Sequence, residues 1–392
     1  MTTQTPQEIL EEFIKNNATE TVTVKEGSYL IAMTETNSLV IPPSEVIDPP
    51  IPPIDPPPSE IDNTVQGFAK ADNVTGGKGG TSIVVTNTNA SGAGSLSAAI
   101  AVNSPRIITF TPGLTGTIKW ELVNYIQYDN ITIDGAGADI TISGMSLSVQ
   151  TAQAKPVNNV IIKNLTFKGT YNDRNAIAIE YSSTRVWVDH CTFIDNSRGE
   201  YTGQGFAVWG RGQTIGFTGI TCSWCKFSTP NIKGAIVGES PDSVNCQMRV
   251  SFHHNWFDGT ASRNPRVHGT GVLVHAWNNY IANWVEVGCA ISSGSDFLSE
   301  GNYFDNSVKT AYQSQAIDAF YGVPTPPSAT YFNPNSCNHI SDSLNAINGG
   351  LVPTEETFGT FPRNKITYDY VLEPATPSLK NKIMANAGAN KG

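Results

Sequence analysis

The chain of 392 residues is poor in charge, in cysteine and in long apolar runs. Only 15% of its residues are charged, well below the ~25% of an ordinary globular chain. The sequence contains no apolar stretch long enough for a spanning helix, so membrane insertion by such a helix is excluded. The six cysteines, Cys191, Cys222, Cys225, Cys246, Cys289 and Cys337, are too thinly spread for a disulfide scaffold, and reduced thiols are expected. No second C-x-x-C and no paired histidines give zinc-finger spacing. Met1 is followed by neither a basic nor an apolar stretch, so no cleaved secretory signal is visible. The hydrophobic fraction of 39% is nevertheless enough for a sizeable core, which excludes disorder over the full length.

Basic residues are scarcest at the start of the chain. Residues 1–65 hold 11 of the 34 acidic residues but only Lys15 and Lys25 of the 24 basic ones. The rest holds 23 acidic and 22 basic residues, and within 151–270 the balance reverses to 12 Lys/Arg against 8 Asp/Glu. The net charge of −10 therefore belongs mainly to the first sixth of the chain. Nothing in this pattern indicates a nucleic-acid partner, although the middle of the chain is locally positive. Nine of the 24 prolines lie between Pro42 and Pro58, where fixed φ favours an extended, semi-rigid spacer. Three parts follow: a small N-terminal module over 1–41, a proline-rich linker over 42–64, and a main domain over 65–392. In the first, residues 6–16 read as a short helix with Ile9, Leu10, Phe13 and Ile14 on one face. Thr21–Val24 and Ser28–Ala32 read as strands. Near the other end, Ser378–Asn386 reads as a late helix that caps or lies along the main domain.

The main domain repeats. NVIIKNLTF (159–167), RVWVDHCTF (185–193), GITCSWCKF (219–227), RVSFHHNWF (249–257), GVLVHAWNNYI (271–281) and SDFLSEGNYF (295–304) align on their last apolar residue. That residue is Phe167, Phe193, Phe227, Phe257, Ile281 and Phe304, at intervals of 26, 34, 30, 24 and 23. Seven positions earlier stand Val160, Val186, Ile220, Val250, Val274 and Phe297. Five positions earlier stand Ile162, Val188, Cys222, Phe252, Ala276 and Ser299. Residues two apart on a strand share a face, and a strand recurring every ~20–50 residues points to a solenoid. Sandwich turns recur at shorter spacing. The reading is all-β, a parallel β-helix. Two positions before the last residue, Asn255, Asn279 and Asn302 then form a ladder of stacked amides at a bend. Cys191 and Cys225 share that column and are expected as buried packing. Cys222 and Cys225, three apart on one strand, are expected to face opposite ways.

With these motifs the chain resembles the pectate and pectin lyases of polysaccharide lyase family 1. The matching segments, in family order, are GFAKADNVTGGKGG (67–80), ASGAGSLSAAI (90–100), ITIDGAG (131–137), NVIIKNLTF, VWVDHCTF (186–193), IKGAIVG (232–238), SFHHNWF (251–257) and SRNPRVHG (262–269). Residues 1–65 lie outside the resemblance. It implies a right-handed parallel β-helix and cleavage of 1,4-linked galacturonan by β-elimination. A proton leaves C5 beside the uronate carboxyl and the bond to O4 breaks. Such a site needs cations that neutralise the carboxylate and a base within hydrogen-bond reach of C5.

The resemblance puts Arg263 on the family's catalytic arginine, the C5 base, and Lys233 on its substrate-binding lysine. An arginine base is chemically demanding, because the guanidinium ordinarily titrates above ~12. Arg266 matches a structural arginine of the R-x-P-R pattern. With His268 it completes the expected substrate-side set. His268 stands where pectate lyases carry a second substrate-binding arginine, and a histidine is mostly neutral near pH 7. Calcium is implied as a cofactor. Asp173 matches one ligand, and Asn175 stands where a second Asp is expected. On the next coil GQGFAVWG places Gly205 and Trp209 at the acidic positions, so the ligand set is incomplete, as in pectin lyases. Asp189, His190, His253 and His254 are expected in structural roles. Trp209, Trp224, Trp256 and Trp277 are either sugar platforms or packing residues. A hydrolase would need two carboxylates across a cleft, and the Asp-rich signature of β-helix hydrolases is missing.

A non-catalytic β-helix for glycan binding or adhesion is the alternative to a lyase. Retained Lys233 and Arg263 favour the lyase. The acidic module and stiff spacer, joined to a glycan-active β-helix with no visible signal, suggest attachment to a larger assembly such as a phage tail. The expected location is extracellular or virion-associated.

Overall fold

A computed structural model of the chain describes residues 23–25, 30–33, 38–41, 64–170, 175–194, 203–210, 216–228, 233–238, 247–260, 262–269, 271–284, 288–291, 295–306, 320–321, 331–332, 339–342 and 363–391. The chain forms two compact units, Met1–Asp62 and Asn63–Gly392. In the first, Thr23–Lys25, Leu30–Met33 and Ser38–Ile41 make a three-stranded antiparallel sheet in sequence order. The expected helix over 6–16 lies outside the described residues.

The second unit is a parallel β-helix. Among the described residues its strands form three parallel sheets of 8, 10 and 9 strands, here called I, II and III. Apart from Thr81–Val85 and Arg106–Phe110 at the start of sheet II, neighbours within a sheet are three strands apart in sequence, so each coil gives one strand to each sheet. One coil runs Gln204–Trp209 (sheet I), Phe217–Ser223 (II) and Lys226–Ser228 (III). The next runs Lys233–Gly238, Met248–His253 and Trp256–Asp258.

The sequence columns reappear as strand register. Val160, Val186, Ile220, Val250, Val274 and Phe297 pair in succession across sheet II. Phe167, Phe193, Phe227, Phe257, Ile281 and Phe304 do so across sheet III. The first four phenylalanines stack inside at centroid distances of 5.5, 4.6 and 4.5 Å. Each buried ring contributes about 1.5–3 kcal/mol through removal from water, and stacked neighbours add about 0.5–1.5 kcal/mol.

Between sheets II and III six successive coils bend through a left-handed residue: Asn164, His190, Trp224, His254, Asn278 and Gly301. That bend corrects the reading of the C-x-x-C. Trp224 (φ 48°) lies between Cys222 and Cys225, so both thiols face the interior, fully buried, rather than opposite ways. Cys191 N–H donates to Cys225 Sγ at 3.4 Å, as their shared column predicts. Burial pushes all three thiols up, so they stay protonated. The asparagine ladder is also present. Asn255 Nδ2 donates to Asn279 Oδ1, and Asn279 Nδ2 to Asn302 Oδ1, both at 2.9 Å.

The outer faces of sheets II and III are covered. Phe68 packs with Leu273 and Leu298 on sheet II, joined by Tyr368. The helix Pro377–Asn386, close to the expected range, sets Leu379 and Ile383 on Tyr280 and Tyr303 of sheet III. Among the described residues no helix is long and apolar enough to cross a membrane.

Candidate active site

Sheet I positions the candidate residues. Along it the core takes Ile177, Ile179, Phe206, Val208, Ala235, Val237 and Val267. The alternate residues therefore face outward. They make two rows by register: Ser148, Ala178, Ala207, Ile236, Arg266 and Ala290, then Glu180, Trp209, Gly238 and His268.

Lys233 opens the strand Lys233–Gly238 and pairs with Gln204 on the preceding coil. On the following coil Gly234 N–H donates to Ser262 O at 2.9 Å and Ala235 N–H to Arg263 O at 2.6 Å. Lys233 and Arg263 thus stand at the same edge of sheet I on adjacent coils, both half-buried. Gln204 reaches one coil further back, where its N–H donates to Asn175 Oδ1 at 3.1 Å. The edge therefore reads Asn175, Gln204, Lys233, Arg263 over four coils. Strands sit about 4.8 Å apart, so Asn175 lies roughly 14 Å from the Arg263 coil.

Arg263 has φ 68°, in the left-handed region that a bulky residue rarely adopts. Arg266 is half-buried, and the buried His268 pairs with Gly238, which leaves it room. A Cβ added at Gly238 would sit 2.5 Å from His268 Cδ2. His268 is five residues along the strand from Arg263, so it lies toward the far end of sheet I rather than beside Lys233.

Calcium requires six to eight oxygen ligands, mostly carboxylate. Asp173 lies outside the described residues. Asn175 is buried with its oxygen already accepting an N–H. A side chain at Gly205 would enter the core, 2.8 Å from Phe227 Cδ1. That position cannot project a ligand outward, contrary to its expected alignment with an acidic one. Among the described residues no cluster of three metal-binding side chains occurs. The described donors do not make a calcium cage, and no step is assigned to one.

Other expectations sort by sheet. Asp189 accepts from Ser223 Oγ at 2.5 Å and pairs with His190 Nδ1 at 2.7 Å, buried on sheet II. This is a packing role away from Lys233 and Arg263. Trp224 and Trp277 are buried among histidines. Trp256 lies on sheet III with Lys226 Nζ 3.8 Å over its ring. Of the four tryptophans, Trp209 belongs to sheet I. Sequence reasoning passed over Glu180, a buried carboxylate in the Trp209 row that accepts from Gln150 Nε2 at 2.5 Å. It also passed over Thr260 and Asn264 beneath Arg263. The only sequence signal for Asn264 was a polar residue inside R-N-P-R.

Comparison with known proteins gives the family and the fold. The profile of the family described as pectate lyase matches residues 58–392. A pectate trisaccharide-lyase from Bacillus licheniformis is 28% identical over 342 residues, covering 84% of this chain and 87% of its own. A pectin lyase from Pseudomonas marginalis is 29% identical over 246 residues, covering 61% and 73%. Among solved structures, a pectate lyase from Bacillus sp. N165 in complex with trigalacturonate aligns with a TM-score of 0.58. It is 20% identical and covers 84% of this chain and 99% of that one.

Proposed function

Because the chain belongs to the pectate lyase family and is a pectate lyase-like polysaccharide lyase, we propose that sheet I cleaves 1,4-linked galacturonan by β-elimination, with Arg263 as the C5 base and Lys233 as the carboxylate binder. The supporting observation is the coupling of their two coils through the Gly234–Ser262 and Ala235–Arg263 backbone hydrogen bonds. It sets one lysine and one arginine at a single edge. Lys233 neutralises the uronate carboxylate, which makes the C5 proton more acidic and stabilises the enolate-like charge that develops. Arg263, acting in its neutral form, takes the C5 proton; the C5 electron pair forms the C4–C5 double bond as the C4–O4 bond breaks, and the leaving O4 takes a proton from water. The product carries a C4–C5 double bond. Arg266 and His268 stand on the outward rows of the same sheet further along, on the substrate side, with the half-buried Arg266 the better placed of the two to meet a neighbouring uronate. The relatives named for pectate and for pectin both support a uronan, and esterification is left to the assay.

The test is ultraviolet absorbance of the unsaturated product on polygalacturonate and on pectin, each with calcium and with a chelator. Arg263→Ala and Lys233→Ala are expected to lose activity about 100-fold or more with circular dichroism unchanged. Near-wild-type rates in both would refute the assignment. Binding without product on every uronan would favour the adhesion reading. The first unit, all but its last residues outside the family match, suits attachment to a larger assembly at an extracellular or virion location. Co-sedimentation of the full chain, but not of residues 63–392, with assembled particles would support that role.

A further inference from the structure

Arg263 sits in an unfavourable backbone conformation, and the residues around it are built to hold it there. A left-handed conformation is unfavourable for a non-glycine residue, and such strain persists only where the surroundings over-determine it. Its carbonyl accepts from Ala235 N–H at 2.6 Å. The next residue, Asn264, is fully buried and held at three points. Its Oδ1 accepts from Thr260 Oγ1 at 2.6 Å, its N–H donates to Gly288 O at 2.9 Å, and its carbonyl accepts from Cys289 Sγ at 2.9 Å. Thr260 is equally buried. The Asn264 side chain occupies space that Gly234 leaves open, since a Cβ there would lie 2.5 Å from Asn264 Oδ1 and 2.6 Å from Arg263 O.

The residues following Lys233 and Arg263 are therefore interlocked. Gly234 admits Asn264, and Thr260 fixes which way the Asn264 amide points. We infer that Thr260 and Asn264 are positioning residues that lock the backbone of Arg263 against the Lys233 coil. The inference rests on the proposed roles of Arg263 and Lys233. Thr260 and Asn264 are both fully buried, out of reach of a substrate on the sheet surface. The hydroxyl of Thr260 acts through Asn264 on where the guanidinium stands.

Thr260→Val keeps the shape and removes the donor. The expected result is a fall of about tenfold in kcat, the size of one buried hydrogen bond, with KM within about twofold, because Lys233 still binds the carboxylate. Thr260→Ser restores the donor and returns kcat to within about threefold of wild type. A purely structural role would instead lower the melting temperature while leaving kcat per folded molecule unchanged, and that result overturns the inference. So does wild-type kcat in Thr260→Val, or no recovery in Thr260→Ser. A crystal structure of Thr260→Val reads the lock without turnover. Arg263 should leave the left-handed region and lose its hydrogen bond from Ala235, and an unchanged Arg263 refutes the lock whatever the substrate proves to be. If wild type is active and Arg263→Ala is too, the base assignment fails, while the crystallographic result still judges the lock.

Discussion

Single residues decide where charge can be placed on sheet I. The sequence singles out Lys233 and Arg263 because each sits inside a short motif of fixed spacing, and the structure sets both at one edge of sheet I. Their partners were not, since Thr260, Asn264 and Gly234 meet only when one coil is stacked on the next. Gly234→Ala tests that contact. The methyl would meet the Arg263 carbonyl, a backbone atom with little freedom to move. Overpacking of this kind typically costs about 1–3 kcal/mol. The expected outcome is a lowered urea midpoint together with a loss of kcat, measured on the purified variant. Unchanged kcat would mean that the two coils tolerate separation. Gly205 carries the complementary lesson. Read linearly it fell on an acidic position, yet its missing side chain is required by Phe193 and Phe227.

At the scale of elements, the strand columns were read correctly because side-chain alternation and repeat spacing are both linear properties. The cysteines were misjudged at one point for a physical reason. Alternation predicts opposite faces only while a strand continues, and the left-handed Trp224 ends it between Cys222 and Cys225. The same bend holds the asparagine ladder. Asn279 donates to Phe252 O and Asn302 Oδ1, while its Oδ1 accepts from Asn255 N and Nδ2. Asn279→Ala strands those buried groups at 1% exposure. It should destabilise the β-helix by about 2–4 kcal/mol, read as a shift in chemical unfolding. A shift below the error of the measurement would show that the ladder is decorative.

For the β-helix unit as a whole, the C-terminal segment ties sheets II and III together. Glu373 accepts from His254 Nε2 at 2.7 Å and Lys382 Nζ at 2.9 Å. Glu300 joins His275 and Tyr370. Burial holds His253 and His254 below the ordinary imidazole range. Neutral rings fit the geometry: His254 Nε2–H donates to Glu373, so its Nδ1 accepts from His253 Nδ1 at 3.1 Å. Burial alone would raise Glu373, but His254 and Lys382 outweigh it and hold the carboxyl at about 2. The ammonium of Lys382 is the surer of the two causes, since a neutral His254 donates a hydrogen bond without a charge. Folded histidines with lowered pKa contribute stability that is complete above about 6.5 and lost as pH falls. Glu373, also lowered, contributes above about 4.3 and loses it toward 2. Urea midpoints should therefore be level near neutrality and fall in two stages on acidification. Glu373→Gln should flatten the lower stage. A single stage near pH 4 in the wild type would show that the histidines do not carry the upper one.

Periodicity by itself determined the parallel β-helix and its register in sheets II and III, because both follow from the order and spacing of residues along one chain, while Lys233 and Arg263 were singled out by motif resemblance. Tertiary structure decided which thiols face inward, which tryptophan belongs to sheet I, and that Asn264 locks the backbone of Arg263. Those facts depend on what lies one coil above or below, at sequence separations that vary from 23 to 34 residues and through bends that reverse the faces a strand pattern assigns.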